Sequence, residues 1–543
     1  MTQPQRRMML AISGALAMSL FAVPHLALGQ ASVQNPKSQK SSNQTGAVIR
    51  STSRLVLLDV VVTDKSGKAV LGLNKEDFTV FEDGQPQRIS NFETPETHLS
   101  ENATADTSPA NRNQSAQHLS KQERADAALP ETIIVLDDRN TSSEDAALAW
   151  QELLKYLRKH PDPLAEPTAL MVFTKTRLER VAPPTRDTAL LLAKAQKIQL
   201  ELPSLSFNNG VQGAASGMLA SLLALDEIAL SSANRQSRKN IIWIGSGFPI
   251  LSSTNVQMVD RDRFLSYVRY TANWLQETRS TIYTINPKGQ PVANEGYLDL
   301  VGGGALIGST IQPTTGELVF ESLAPETGGQ IFRNRNDINV AISDAVESGS
   351  AYYTLAYYPE NSNFDGNFRK IRVAVDDNKF TATTQQGYYA VDEGFGATQS
   401  ELDFALSRAV KSPLPFSSVE FDAVGKVLLG QPPTVRFSVS VDRDAVSWES
   451  QPNGDQRGEL TLVTSEVSKK DSILDYKVRE IELVVPKDKF EDPAVTHVLF
   501  SVTIPLPPKT DHFRFVLRDA ASGRLGTYDV ARQSLGQQIA ANH

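Results

Sequence analysis

The apolar positions of this chain follow three patterns in succession. From Leu55 to Val62 nearly every residue is apolar and many are β-branched, and Asp64, Lys65, Ser66 and Gly67 then supply turn chemistry before Val70. Phe78, Val80 and Phe81 predict a further strand, and Asp83-Gly84 predicts a tight hairpin leading into 87–92. Residues 51–93 thus read as a small all-β unit. Residues 94–128 lose the pattern and become rich in Ser, Thr, Asn, Ala and Glu, the composition of a disordered insertion.

From Glu131 the period changes. Strand-like runs at 133–136, 169–173, 178–182, 240–244 and 280–285 alternate with amphipathic helices at 144–160, 187–197, 213–230 and 260–277. A helix around 318–323, a Gly328-Gly329 turn, a strand at 330–332 and a helix at 337–347 complete this unit, 131–348. Such alternation predicts a parallel sheet with helices on both faces. Strands then return at 351–358, 368–375, 380–384 and 387–390. Residues 400–543 carry five more, beginning at Val435, Gly458, Val478, His497 and Phe513, separated by Pro, Gly and Asp turns, which predicts a sandwich.

Chemistry concentrates where the run Ile133 to Leu136 ends abruptly in Asp137 and Asp138, followed by Arg139, Asn140, Thr141 and Ser142 directly before a helix pattern. A buried strand that delivers a carboxylate and small hydroxyl residues to its carboxyl end sets up the crevice where open α/β sheets bind ligands.

Composition narrows what that crevice can be. The absence of cysteine excludes disulfides, thiolate metal sites, catalytic thiols and a lipid-modified cysteine. Arg6 and Arg7 precede an apolar stretch from Met8 to Leu28, with Ala27 and Gly29 placed as a cleavage site, so residues 1–29 read as an export signal, by the general or the twin-arginine route, and the protein as periplasmic or extracellular. Residues 30–50 have the composition of a solvated linker, and no second span long enough to cross a bilayer follows. Without residues 1–29 the chain keeps 52 basic against 62 acidic residues, which argues against nucleic acid as a partner.

Several separated motifs in one order resemble the von Willebrand factor type A (VWA) domain, and specifically the VWA-related exported proteins of acidobacteria. The resemblance is carried by Val60-Val61-Val62-Thr63-Asp64-Lys65-Ser66-Gly67, by Gly72-Leu73-Asn74-Lys75-Glu76-Asp77-Phe78 leading to Phe81-Glu82-Asp83-Gly84, and by Leu136-Asp137 with Asn140-Thr141. Further along it is carried by Lys239 to Ile244 with Gly247-Phe248-Pro249, by Tyr352-Tyr353 to Pro359, and by Phe515 to Gly526 with Arg518-Asp519 and Ser522-Gly523-Arg524. It implies an α/β architecture: a Rossmann-like VWA domain flanked by Ig-like β-sandwich modules. It also suggests that 51–93 and 351–391 pair into one sandwich with the VWA domain inserted. Each segment alone is too small to bury both sheet faces, so the pairing is physically reasonable.

The resemblance further implies a metal-ion-dependent adhesion site, in which Mg²⁺ is held by an Asp-x-Ser-x-Ser loop, a Thr and a second Asp, with one position left for a partner's carboxylate. Here Asp137, Asn140 and Thr141 are the candidate metal ligands, but Arg139 replaces the first Ser. A second-loop ligand would have to be Ser204, Ser206, Asn208, Asn209 or Ser216, and the third loop reads Gly245-Ser246-Gly247 without a carboxylate. The expected site is therefore degenerate, with Mg²⁺ as its only candidate cofactor.

The functional expectation is a non-catalytic protein-binding or adhesion module that uses Asp137, Asp138, Arg139 and Ser246 as its partner-binding residues. Two alternatives stand beside it. One is a structural cell-envelope protein assembling through the edges of its sandwiches. The more remote one is a serine hydrolase built on Ser246, whose outer positions Ile244 and Phe248 are not the glycines a nucleophile elbow needs.

Overall fold

A computed structural model of the protein describes residues 55–99, 129–200 except 161, 210–247 except 234 and 236, 258–288, 320, 323–390 except 376–378, and 399–537 except 429 and 431. The expected export signal, the 30–50 linker and residues 100–128 of the expected insertion lie outside the described residues. The described part of that insertion is not patternless, because Pro95–Leu99 forms a short helix.

The chain begins with β1 (Val56–Thr63), β2 (Phe78–Glu82), β3 (Gln85–Gln87) and β4 (Ile89–Glu93). The α/β unit contributes β5 (Glu131–Asp137), β6 (Thr168–Phe173), β7 (Leu178–Thr185), β8 (Lys239–Ile244), β9 (Ser280–Ile285) and β10 (Ile331–Phe332). After it come β11 (Tyr353–Tyr357), β12 (Phe368–Val375), β13 (Thr381–Thr383) and β14 (Gly387–Tyr389). The first and last of these groups share two sheets, ordered β13-β1-β11-β4 and β14-β12-β2-β3. β1 runs antiparallel to β11, with Asp59 opposite Thr354, and β2 runs antiparallel to β12, with Val80 opposite Val373. Val56, Leu58, Phe78, Val80, Tyr353, Leu355, Tyr357 and Ile371 from both sheets form one apolar core. Neither flank could bury these side chains alone, so the α/β unit emerges from inside a sandwich.

The six-stranded sheet runs β10-β9-β8-β5-β6-β7 and is parallel except for the edge strand β7. Read by order within the unit this is 6-5-4-1-2-3, the doubly wound arrangement, and its order reverses between β5 and β8. Helices cover both faces. One face packs Ile134, Leu136, Ile242 and Ile244 against α1 (Ser143–Lys159), α2 (Thr188–Ala195) and α5 (Ile338–Ser350). The other packs Ile133, Val135, Ile241 and Trp243 against α3 (Gly210–Ser231) and α4 (Met258–Glu277). Both faces of each central strand are buried, which explains the unbroken apolar runs. The last helical turn before β10 spans Leu323–Glu326, C-terminal to the expected 318–323.

The C-terminal module opens with a helix missing from the sequence reading, α6 (Gln399–Lys411). Its strands are β15 (Phe421–Leu428), β16 (Thr434–Asp442), β17 (Glu449–Ser450), β18 (Gln456–Val467), β19 (Ile473–Val485), β20 (His497–Pro505), β21 (His512–Asp519), β22 (Leu525–Ala531) and β23 (Gly536–Gln537). One sheet is ordered β20-β16-β15-β23 and the other β17-β18-β21-β22, with β19 paired to β18. Their inner faces meet through Val435, Phe437, Leu460, Leu462, Phe513 and Phe515.

The modules are fused through buried contacts. Arg279 donates from Nε to Asp59 Oδ2 at 3.2 Å, from Nη2 to Thr354 Oγ1 at 2.7 Å, and from Nη2 to Asp59 Oδ1. Asp59 and Thr354 are a cross-strand pair of the first sandwich, so one guanidinium bridges two of its strands to the α/β unit. On the other side Arg408 of α6 pairs with Asp226 of α3 at 3.0 Å, and Ala409, Leu414, Phe416, Val463 and Val516 join the apolar layer over α3 and α4.

Candidate functional site

The switch between β5 and β8 places three chain segments together: 137–142 after β5, Thr174–Arg177 after β6, and Gly245-Ser246-Gly247 after β8. Alternation along β5 turns Asp137 toward the α3/α4 face, as it does Ile133 and Val135. On β8, Trp243 lies opposite Val135, so the position level with Asp137 is Gly245. A Cβ at 245 would stand 2.5 Å from Asp137 Cβ and 2.6 Å from Thr141 Oγ1, so glycine is the only residue that lets the two loops approach this closely. Gly247 has φ +64°, and a Cβ there would meet the Phe320 ring at 2.4 Å.

Asp137 is fully buried. Its Oδ1 accepts from the backbone N–H groups of Arg139 at 3.1 Å and Asn140 at 2.9 Å. Its Oδ2 accepts from Asn140 Nδ2 at 3.2 Å and from the Trp243 indole Nε1 at 3.0 Å. A carboxylate offers about four lone-pair sites, and all are filled. Burial lifts the Asp137 carboxyl above its ordinary range, opposed by these same donors. Asn140 Nδ2 also reaches Ser221 Oγ of α3 at 3.0 Å, and Ser221 in turn donates to Gly217 O at 2.9 Å. Thr141 is buried and its Oγ1 accepts the Ser246 N–H at 3.0 Å, which pins the β8 loop to the β5 loop. Ser142 caps α1 by accepting from Asp145 N at 3.1 Å, and Glu144 and Asp145 sit in the first turn of that helix, where its dipole favours negative charge.

In this arrangement the candidate metal ligands Asp137, Asn140 and Thr141 are engaged with one another and with backbone N–H groups. Both Asp137 oxygens are spent on N–H donors, Asn140 presents its amide nitrogen, and Thr141 Oγ1 is bound to a backbone N–H. Of the second-loop candidates, Ser204, Ser206, Asn208 and Asn209 lie outside the described residues and Ser216 is an exposed residue of α3. Among the described residues no group of three His, Asp or Glu side chains could hold an ion.

The expected partner-binding set also divides. Asp137 is closed off from solvent and Asp138 is 4 % exposed, so neither carboxylate forms the surface, whereas Arg139, Asn140 and Ser246 are partly exposed. The Arg139 side chain leans over the Phe173 ring, 5.8 Å from its centroid, and donates to the Lys175 carbonyl in the β6–β7 hairpin. The residue missed from sequence is Trp243. Its signal was present, because a tryptophan inside an aliphatic strand must find a partner for its N–H once buried.

No known protein-family profile matches this chain, and no curated protein matches it. Among solved structures it is similar to the conserved hypothetical protein BatB from Bacteroides thetaiotaomicron, at 15 % identity over 40 % of this chain and 98 % of that one, with a TM-score of 0.23. It is also similar to the SpRpn10 VWA domain, at 12 % identity over 30 % of this chain and 90 % of that one, TM-score 0.16. A third similarity is to the pilus adhesin SpaC from Lactobacillus rhamnosus GG, at 8 % identity over 74 % of this chain and 54 % of that one, TM-score 0.23. Likenesses this distant leave strand order and loop geometry as the ground for interpretation.

Proposed function

We propose that this protein is an exported, non-catalytic binding module whose VWA-like α/β unit captures a protein partner at the carboxyl ends of β5 and β8, without a metal ion. The observation that carries this reading is the saturation of Asp137 by Trp243, Asn140 and two backbone N–H groups. It turns the adhesion carboxylate of the resembled family into an internal brace and leaves Arg139 and Ser246 partly exposed at the switch point.

A binding rather than catalytic role is supported by the placement of the three histidines whose side chains are described. His160 lies at the far end of α1, bonded through Nδ1 to Tyr156 O at 2.8 Å, and His497 and His512 belong to the C-terminal module. Ser246 therefore has none of these as a general base. Export rests on the Arg6-Arg7 and Met8-to-Leu28 pattern, and no helix among the described residues is long and apolar enough to cross a membrane.

A photo-crosslinking amino acid at position 246 tests the reading. In living cells it is expected to trap a discrete partner that the same label at Tyr358, half exposed on the first sandwich, does not trap. Chelator should leave the yield unchanged. Equal labelling from both positions would refute the crevice, and loss of the adduct with chelator would refute metal independence.

A further inference from the structure

Sheet edges present unpaired N–H and C=O groups, and proteins that remain monomeric blunt them with charge, proline, brevity or cover. Every other sheet edge described here is treated in one of these ways. β7 carries Glu179, Arg180, Pro183 and Pro184, and β19 carries Asp475, Lys477, Arg479, Glu480 and Glu482. β3, β10, β13, β14, β17 and β23 have two or three residues each, and the five-residue β4 ends in Glu93. β22 is covered by 416–419, whose Ser418 N donates to Leu525 O at 3.0 Å, while Thr527 N donates to Phe416 O at 2.8 Å.

β20 is different. Among the described residues it is the outermost strand of its sheet and pairs only with β16, over nine residues, and His-Val-Leu-Phe-Ser-Val-Thr-Ile-Pro contains no Asp, Glu, Lys or Arg. Leu499 is 71 % exposed, the most exposed large hydrophobic side chain among the described residues. Val498 and Phe500, facing the other way, sit partly buried at the rim of the sandwich core. Near the far end of the strand, Arg479 of β19 donates to the Thr503 carbonyl at 3.4 Å.

We propose that the β20 edge pairs antiparallel with β20 of a second copy of this chain, about a twofold axis at Leu499. An open ladder is satisfied by extended backbone, and a strand free of charge can lie against itself without placing like charges opposite one another. Centring the pair on Leu499 sets Leu499 beside its own copy, removing the exposed side chains of both from water. It sets Phe500 opposite Val498 of the partner, so the two sandwich cores become continuous, and it leaves Thr503 and Pro505 beyond the central pairs. The surface is independent of the crevice, so failure of either reading leaves the other standing.

The absence of cysteine makes the test clean. Sedimentation equilibrium of the purified protein is expected to show a monomer–dimer equilibrium. Leu499→Lys, on an exposed side chain that this register sets beside its own copy, should weaken it about tenfold or more by opposing like charges, whereas Ser501→Lys, set opposite His497 of the partner, should weaken it less. Leu499→Cys should form an intermolecular disulfide under mild oxidant, because directly opposed residues of antiparallel strands lie within disulfide reach. Leu474→Cys on the charged β19 edge should not. A wild-type protein that stays monomeric, dimers indifferent to Leu499→Lys, or equal crosslinking at 474 and 499 would overturn the proposal.

Discussion

The indole N–H of Trp243 donates to Oδ2 of Asp137 across 3.0 Å, joining the carboxyl end of β5 to a residue 106 positions later in β8. The bond sits beneath the crevice floor, with the Trp243 ring 5.5 Å from Phe173 and 5.0 Å from Phe320. A carboxylate that the resemblance assigns to a cation is thus held by an aromatic donor inside an apolar layer.

Trp243→Phe should keep the ring packing and delete the donor. One buried carboxylate oxygen then loses a partner, which costs about 1–3 kcal/mol. Urea denaturation checks this, and an unchanged midpoint would show that the bond carries no net stability. Asp137→Ala should cost more, since it strands the Trp243 N–H and two backbone N–H groups together. It is therefore a stability variant, and crevice function is better probed at Arg139 or Ser246.

Gly245→Ala tests the approach of the two loops. A methyl 2.5 Å from Asp137 Cβ and 2.6 Å from Thr141 Oγ1 must push the β8 loop away from the β5 loop. We expect a loss of about 1–3 kcal/mol from overpacking, with weakened partner capture, measured by thermal unfolding and by the position-246 crosslink.

Mg²⁺, Ca²⁺ and Mn²⁺ are expected to give no saturable heat in calorimetric titration, and EDTA no change in unfolding temperature. Binding that disappears in Asp137→Asn would contradict the closed carboxylate shell.

Glu166 carries a pH prediction. Burial raises its carboxyl from 4.5 to about 7, although its Oε1 accepts from Thr132 Oγ1 at 2.6 Å. A raised acid favours the folded state while protonated. Its contribution is complete below pH 4.5, where both states hold the proton, and is lost as pH rises through about 7. Glu166→Gln should remove this slope, so the wild type loses stability relative to the variant over that window, by on the order of 3 kcal/mol at most. Parallel stability curves for the two proteins would refute it.

Arg279→Ala should destabilise the protein by about 3–5 kcal/mol, because it takes the guanidinium away from Asp59, a carboxylate at 8 % exposure that also accepts from Thr354 Oγ1 at 3.2 Å. Arg279→Ala with Asp59→Ala should recover much of that loss. A double-mutant cycle in chemical denaturation measures the recovery, and strictly additive losses would show that the pair does not couple the sandwich to the α/β unit.

What the sequence determined by itself was local. Alternating period, turn chemistry and the Ser142 cap depend on neighbours within a few residues, so the strands and helices of 131–348 and the small strands around Asp83-Gly84 were legible, with ends shifted by a few positions. The α6 helix escaped because its apolar positions face two modules at once, which no single stretch of chain announces. The abrupt end of the apolar run at Asp137 also located the crevice, since strand order and a helix amino end follow from chain direction. Only tertiary structure decided what Asp137 does there. Whether a carboxylate's lone pairs are free for an ion or filled by N–H donors depends on which side chains packing brings within about 3 Å, and here Trp243 arrives from β8 as a donor to Asp137, while Ser221 of α3 accepts from Asn140. The same holds for Asp59 with Arg279 and for the bare edge of β20, because pairing and exposure are relations between distant segments rather than properties of either one.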